Sequence, residues 1–286
     1  MMMMDLQATI ELFKISGPAM ISFSGGRTSA YMLYRIVQAY GGQLPDNIIV
    51  VFSNTGKERE ETLRFVYECG AWLGVKIHWL EWRDGKPGYE EVGYNSASRN
   101  GEPFAALIAK KQRLPNWQER WCTTFLKLLP MFAFAENLGW VSGEYAEVIG
   151  LRDDEGMRIL KGFSRAEKDG RKVIYPLGKA KIRKSDVMEF WRSQPFDLAL
   201  EPWEGNCDLC MATGRKVRLA RIRRNPACAK WWHEQEVSRD ATFDRRDSVI
   251  DLINAAKQQI DMFETAEFDE ADTECGDGCG FGEGDL

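Results

Sequence analysis

Three groups of residues in this chain could do chemistry. The first is Ser24-Gly25-Gly26-Arg27-Thr28-Ser29, which follows a short apolar run at residues 20–23 and opens a segment of helical periodicity. Glycines let a backbone come close to a ligand, and a helix N-terminus presents unpaired N–H groups. Ser24, Thr28 and Ser29 add hydroxyls and Arg27 adds a charge, so the turn reads as an anion-binding device. The second group is Cys207-Asp208-Leu209-Cys210, with Cys122 lying 85 residues upstream. Thiolates at such spacing can hold a zinc ion or an iron–sulfur cluster. The third is a basic stripe, Arg215, Arg218, Arg221 and Arg224, with Lys216 and Arg223 between them and no acid over residues 211–224. It could be a solvated helix face with snorkelling stems, charge compensation for an anionic cluster or nucleotide, or a contact for nucleic-acid phosphates. Trp231 and Trp232 nearby could stack on a base or sit in a core. The two histidines, His78 and His233, are too few for multi-histidine metal sites.

The elements that must position these groups can be read from periodicity. Residues 20–23 predict a strand, and residues 30–40 a helix ended by Gly41-Gly42. Residues 48–52 predict a second, β-branched strand, residues 60–73 a helix, and residues 75–82 a third strand. Strands and helices alternating in this way predict an α/β fold with a parallel sheet. Residues 83–115 are polar and read as an insertion or lid. Residues 121–138 predict a helix, residues 146–150 a fourth strand, and residues 151–158 a charged loop. A helix is expected from Ser185, as N-cap, to Trp191, another within residues 207–224 after a loop, and a last one over residues 248–263.

The bulk composition is that of an ordinary globular protein, with 44% hydrophobic and 28% charged residues. No apolar run approaches a bilayer span. Met1 to Met4 precede Asp5 without a basic stretch, so neither a signal peptide nor a membrane role is expected, and the localisation expected is cytoplasmic. Seven cysteines, an odd number, make a disulfide framework unlikely to fit and favour metal or redox chemistry for any cluster. From Glu264 to the end there are nine acidic residues and no basic one, so the chain's net −5 leaves residues 1–263 at +4. Such a balance argues against blanket nucleic-acid binding and allows a local anion site.

Several motifs, taken together, carry a resemblance. Ser24-Gly25-Gly26-Arg27-Thr28-Ser29 resembles the PP-loop of the adenine-nucleotide α-hydrolase superfamily, with Thr28 where Asp is common. Phe52-Ser53-Asn54-Thr55-Gly56 followed by Glu61-Thr62 resembles the Asp-Thr-Gly and Glu-Thr of the phosphoadenosine phosphosulfate (PAPS) reductase family, with Asn54 replacing Asp. Ile149-Gly150-Leu151-Arg152-Asp153-Asp154-Glu155 resembles its Gly-x-Arg-x-x-Glu loop, and Tyr175-Pro176-Leu177 its Pro-Leu segment. The resemblance implies a Rossmann-like parallel sheet with helices on both faces over residues 1–195, with 83–115 as the insertion. A mostly helical, cysteine-bearing extension would fill residues 196–263 and an acidic flexible tail residues 264–286. It implies that Ser24, Gly25, Gly26, Arg27, Thr28 and Ser29 hold a phosphate or sulfate. Asn54, Thr55 and Gly56 would lie beside the adenosine, and Gly150 and Arg152 by the α-phosphate, with Arg152 catalytic. The nucleotide would be ATP, adenylyl sulfate or PAPS, with Mg²⁺ as a further candidate.

The cysteine layout resembles that of cluster-bearing adenylyl-sulfate reductases, with Trp121-Cys122 in place of their Cys-Cys pair. It implies a [4Fe–4S] cluster on Cys122, Cys207 and Cys210 with one iron open, or with Cys228 as a fourth ligand; zinc, or reduced thiols without metal, are the alternatives. Glu274-Cys275-Gly276 resembles the reductases' C-terminal motif, making Cys275 a catalytic nucleophile, although surrounding acids should blunt it. Cys275 and Cys279 could instead hand on reducing equivalents, and Cys69 reads as core. Two activities follow: sulfonucleotide reduction, or adenylation of a substrate with sulfur transfer, possible on a nucleic acid bound by residues 215–224. A thiol reductant or sulfur-donor protein would be a partner, and a homodimer is compatible. The rival reading is a nucleotide-binding regulatory module without turnover.

Overall fold

The computed structural model describes residues 10–258. The chain falls into two compact units: residues 1–54, 60–97 and 128–198 form the first, and residues 55–59, 98–127 and 199–286 the second. Residues 98–127, expected to sit in or beside an insertion on the sheet, thus group with the C-terminal part.

The first unit is a six-stranded sheet. Its strands are β1 (Ala19–Ser22), β2 (Ile48–Asn54), β3 (Ile77–Trp82), β4 (Tyr89–Val92), β5 (Ala146–Ile149) and β6 (Lys172–Ile174), in the order β4-β3-β2-β1-β5-β6. All neighbours are parallel except β3 and β4. β2, Ile-Ile-Val-Val-Phe-Ser-Asn, is buried along almost its whole length, as a central strand covered on both faces must be. Along the chain the strands run outward from β1 to β3 and then restart on the other side of β1 with β5. The carboxyl ends of β1 and β5 therefore flank a topological switch point, where open α/β sheets place ligands.

Helices cover both faces. Met20, Val51 and Leu80 pack with Met131 and Phe134 of the helix Leu129–Asn137. Phe52, one residue on from Val51, points to the opposite face. There it lies beside Gly25 together with Thr62 and Val66 of the helix Glu60–Leu73. The helices are labelled in chain order: α1 (Arg27–Ala39), α2 (Glu60–Leu73), α3 (Glu102–Lys111), α4 (Leu129–Asn137), α5 (Gly156–Lys168), α6 (Pro176–Lys179), α7 (Lys184–Arg192), α8 (Arg215–Arg224), α9 (Cys228–Arg239) and α10 (Val249–Gln258). Phe65 of α2 and Trp191 of α7 meet edge to face at 4.9 Å, and Tyr34 of α1 stacks on Trp72 of α2 at 5.4 Å. The α7 cap is not Ser185: the Arg183 N–H donates to Asp186 Oδ2 at 2.7 Å, so the helix starts earlier than expected.

The second unit is helical, built from α3, α8, α9 and α10. Its core is aromatic. Trp232, 2% exposed, meets Trp231, Phe104 and Phe243 at 5.1, 5.7 and 4.9 Å. The two tryptophans are thus core residues rather than a stacking platform. Residues 207–214 form turns, and only Arg215–Arg224 of the expected segment is helical. Serine 248 caps α10, as expected: Ser248 and Asp251 exchange side-chain and backbone hydrogen bonds at 3.1 and 3.2 Å.

Candidate functional site

In the first unit, β1 ends at Ser22 and the chain turns through Gly25 into α1. Gly25 has φ +78°, a conformation that favours glycine, and a Cβ there would meet Thr62 Cγ2 at 2.7 Å. The turn is closed internally. Ser24 and Ser29 hydroxyls lie 2.9 Å apart, the Ser24 N–H donates to Ser29 Oγ at 3.2 Å, and the Ser29 hydroxyl donates to the Gly26 carbonyl at 3.0 Å. No side chain caps α1 and no acid stands in its first turn, so nothing on the helix itself offsets the positive end of its dipole.

Arg27 serves the scaffold. Its guanidinium is gripped by Asp197, with Nε donating at 2.7 Å, and its carbonyl accepts the Trp191 indole N–H at 2.9 Å. The charge facing the turn comes from Arg152 instead. Arg152 follows β5, is 8% exposed, and donates from Nη1 to Thr28 Oγ1 at 3.1 Å. Asp154 and Glu155 hold the same guanidinium at 3.1 and 3.5 Å. Gly150 permits this approach, because a Cβ on it would stand 3.2 Å from the Ser29 Cα. Ser24, Gly25, Gly26, Thr28, Ser29, Gly150 and Arg152 are therefore brought together at the switch point. The geometry offers hydroxyls, a helix N-terminus and a fixed guanidinium to an anion.

The residues after β2 divide. Asn54 is fully buried and donates from Nδ2 to Glu81 Oε1 at 2.7 Å; Glu81, also 0% exposed, accepts from Arg83 at 2.8 Å through its other oxygen. The Asn54 amide thus points to Glu81. Thr55 and Gly56 belong to the second unit. Thr55 donates from N and Oγ1 to Glu58 Oε2, at 2.8 and 2.7 Å. At Gly56, φ +78°, a Cβ would lie 2.9 Å from Pro103 Cδ and 3.0 Å from Gly101 Cα, so a close chain crossing requires glycine there.

The same second unit carries the cysteines. Residues 57–59 pair with the Cys207 loop: the Arg59 N–H donates to Asn206 O at 2.9 Å and the Asp208 N–H to Lys57 O at 3.0 Å. Lys57 meets Asp208 at 2.7 Å and Arg59 meets Glu204 at 2.8 Å. Buried Glu58 accepts from the Cys207 thiol at 3.9 Å and lies 3.4 Å from Lys127 Nζ. Lys57, Glu58, Arg59 and Lys127 were not singled out from sequence; the run Lys57-Glu58-Arg59 beside the β2 motif was the available signal. Cys122, Cys207 and Cys210 are all partly exposed, and no disulfide joins the described cysteines. The donor set fits a soft metal centre at two positions, since Cys207 and Cys210 share one loop; among the described residues no three His, Cys, Asp or Glu side chains are gathered to hold a metal ion. Cys228 is buried, and burial together with Asp208 pushes its thiol up to about 11, which suits a core residue. Cys69 is core too. Cys275 and Cys279 lie outside the described residues.

The basic stripe is not a solvated face. Arg218 and Arg221 are 2% and 0% exposed. Arg218 pairs with buried Asp244 at 2.6 Å, Arg215 with Asp247 at 3.1 Å, and Arg224 with Glu204 at 3.4 Å. A helix whose every-third arginines are buried or matched offers little uncompensated charge to a phosphate backbone, so the stripe as a nucleic-acid face is not what the fold builds.

No family model matches the chain. It is 30% identical over 209 residues to an uncharacterized nin region protein, ORF290, of Escherichia phage lambda; the match spans 70% of this chain and 68% of that protein. It is 28% identical over 184 residues to the tRNA-specific 2-thiouridylase MnmA of Campylobacter curvus, covering 62% of this chain and half (50%) of that enzyme. A PAPS reductase from Candida auris, solved as a phosphate complex, is similar with a TM-score of 0.42 and 17% identity, over 65% of this chain and 77% of that one. That superposition is too loose to carry weight on its own. The motif order and its convergence at the switch point stand independently of it. The chain belongs to the family of the phage lambda nin region protein ORF290, as a PP-loop protein of PAPS reductase-like type.

Proposed function

We propose that the chain is an enzyme that binds an adenine nucleotide at the Ser24–Ser29 turn and uses it for sulfur chemistry. The observation that carries this reading is the cradle in which Arg152, fixed on Thr28 at 3.1 Å, joins the uncapped start of α1. The branch we favour is adenylation followed by sulfur transfer. A substrate oxygen attacks the α-phosphorus of ATP and pyrophosphate leaves. A sulfur nucleophile then displaces AMP from the activated carbon. Arg152 would offset the charge that builds on the α-phosphate oxygens in the first step. A tRNA thiolase among the relatives supports this branch and suggests a nucleic-acid acceptor. Cys122, Cys207 and Cys210 are our candidates for ligands of a [4Fe–4S] cluster, which would supply a site to hold sulfide.

The test is product release by anaerobically purified protein. Pyrophosphate and AMP released from ATP support adenylation, and sulfite released from adenylyl sulfate or PAPS supports reduction instead. Nucleotide binding with neither product would favour the regulatory module. Arg152→Ala should abolish turnover. Truncation before Glu274 should leave adenylation intact, whereas sulfonucleotide reduction through Cys275 would not survive it.

A further inference from the structure

Arg221 was one arginine of a stripe, but its surroundings set it apart. It is fully buried, and no carboxylate among the described residues lies within ion-pair distance of it. Its hydrogen bonds are long, to Thr213 Oγ1 at 3.4 Å and Trp203 O at 3.5 Å, and its Nε has no partner. The other buried cations of this unit are matched: Arg218 by Asp244, Arg59 by Glu204 and Lys57 by Asp208. An unmatched buried guanidinium is costly unless an anion accompanies it.

The loop above it carries the cysteines. Both backbone anchors of Arg221, Trp203 and Thr213, bracket residues 204–212, and the Thr213 hydroxyl donates on to the Cys210 carbonyl at 2.8 Å. Gly205 leaves room for the guanidinium, since a Cβ there would stand 3.3 Å from Nη2. Burial weakens the hold of Arg221 on its proton, and the negative charge available on Cys210, and then Cys207, opposes that effect.

We propose that Arg221 sets a positive potential beneath the Cys207–Cys210 loop and so fits this loop to an anionic iron–sulfur centre rather than to zinc. A cluster on thiolates carries net negative charge, whereas a zinc ion on these two thiolates does not and would leave Arg221 unmatched. The inference rests on reading these cysteines as cluster ligands. Arg221 acts as a positioning residue through its charge.

The test compares disulfide exchange at Cys207 and Cys210 in the reduced, metal-free, full-length protein, using two reagents. One is dianionic, 5,5′-dithiobis(2-nitrobenzoate), and the other neutral, 2,2′-dithiodipyridine, with the modified peptides identified by mass. The ratio of the two rates cancels the fraction of thiolate and reports local potential. At these cysteines the ratio should exceed that of an unstructured cysteine peptide several-fold. Arg221→Gln, which keeps hydrogen-bond donors without the charge, should lower it several-fold, and Arg221→Lys should preserve it. An unchanged ratio in Arg221→Gln overturns the proposal and leaves Arg221 a strut. Should that variant not fold, a wild-type ratio no higher than the peptide's overturns it equally. Anaerobic iron and sulfide uptake separates the two readings. A high ratio without uptake removes the cluster but keeps the potential, and uptake with a flat ratio does the reverse.

Discussion

An aspartate at position 54, as the PAPS reductases have, would not suit this chain. Asn54 and Glu81 are both fully buried with 2.7 Å between amide and carboxylate, so Asn54→Asp would set two carboxylates together away from water. Both cannot ionise cheaply, and one folded pKa must rise. Stability is then lost as pH rises above the ordinary carboxylate range and regained as it falls. Denaturation at pH 5 and pH 8 should show Asn54→Asp destabilised by roughly 3 kcal/mol at the higher pH only, with Glu81→Gln restoring it in the double variant. No recovery in the double variant would break this account of the departure. Gly150 tests the anion cradle in the same way. Gly150→Ala puts a methyl group 3.2 Å from the Ser29 Cα. We expect ATP binding, measured by calorimetry, to weaken about tenfold, or about 1.4 kcal/mol, while the melting temperature barely moves. Unaltered affinity would place the nucleotide elsewhere.

At the scale of elements, the helix α8 shows what sequence could and could not reveal. Its three-residue repeat of arginines is visible to anyone, but the partners Asp244 and Asp247 lie 26 and 32 residues downstream of Arg218 and Arg215. Only folding shows that Arg218 is internal. Asp244→Asn should therefore cost on the order of 3 kcal/mol in urea unfolding, because it leaves a buried guanidinium with a neutral partner, and Arg223→Ala, on the exposed side, within about 0.5 kcal/mol. Equal effects would return the stripe to a solvated face. β1, β2, α2, β3 and β5 were legible because buried parallel strands are nearly continuous apolar runs and α2 repeats at helical spacing. β4 was not: Tyr89-Glu90-Glu91-Val92 is a polar edge strand, and Arg83–Glu90 and His78–Glu91 pair across the ladder rather than along it. α5 was hidden because Met157, Leu160 and Phe163 stay exposed and because Gly162 interrupts it, where a Cβ would collide with the Tyr175 hydroxyl. The PP-loop turn and the Gly150–Arg152 loop were readable as motifs; their meeting through Thr28 was not, since 124 residues separate Thr28 from Arg152.

At the scale of the whole molecule, the response to pH should follow one buried group more than net charge. Glu147 lies in β5, 5% exposed, with Arg171 Nη1 at 3.3 Å. Burial raises its pKa to about 7, and Asp169 adds to the rise while Arg171 opposes it without prevailing. The neighbouring Tyr145 and Tyr175 are pushed up to about 12, chiefly by burial as well, which marks the region as poorly hydrated. In the unfolded chain Glu147 titrates near its ordinary 4.5. Between these values the folded protein binds the extra proton, so the unfolded state gains as pH rises, and stability falls through this window. A rise of this size corresponds to a loss on the order of 3 kcal/mol, all of it complete above pH 7 and absent below the unfolded value. Glu147→Gln cannot lose a proton. Chemical denaturation at pH 5, 6, 7 and 8 should therefore show the wild-type protein weakening across the series while the variant holds nearly level, the two converging at the acid end. Parallel profiles would mean that Arg171 keeps Glu147 ionised throughout, and that this charge pair, rather than a protonated carboxyl, closes the β5 edge of the sheet.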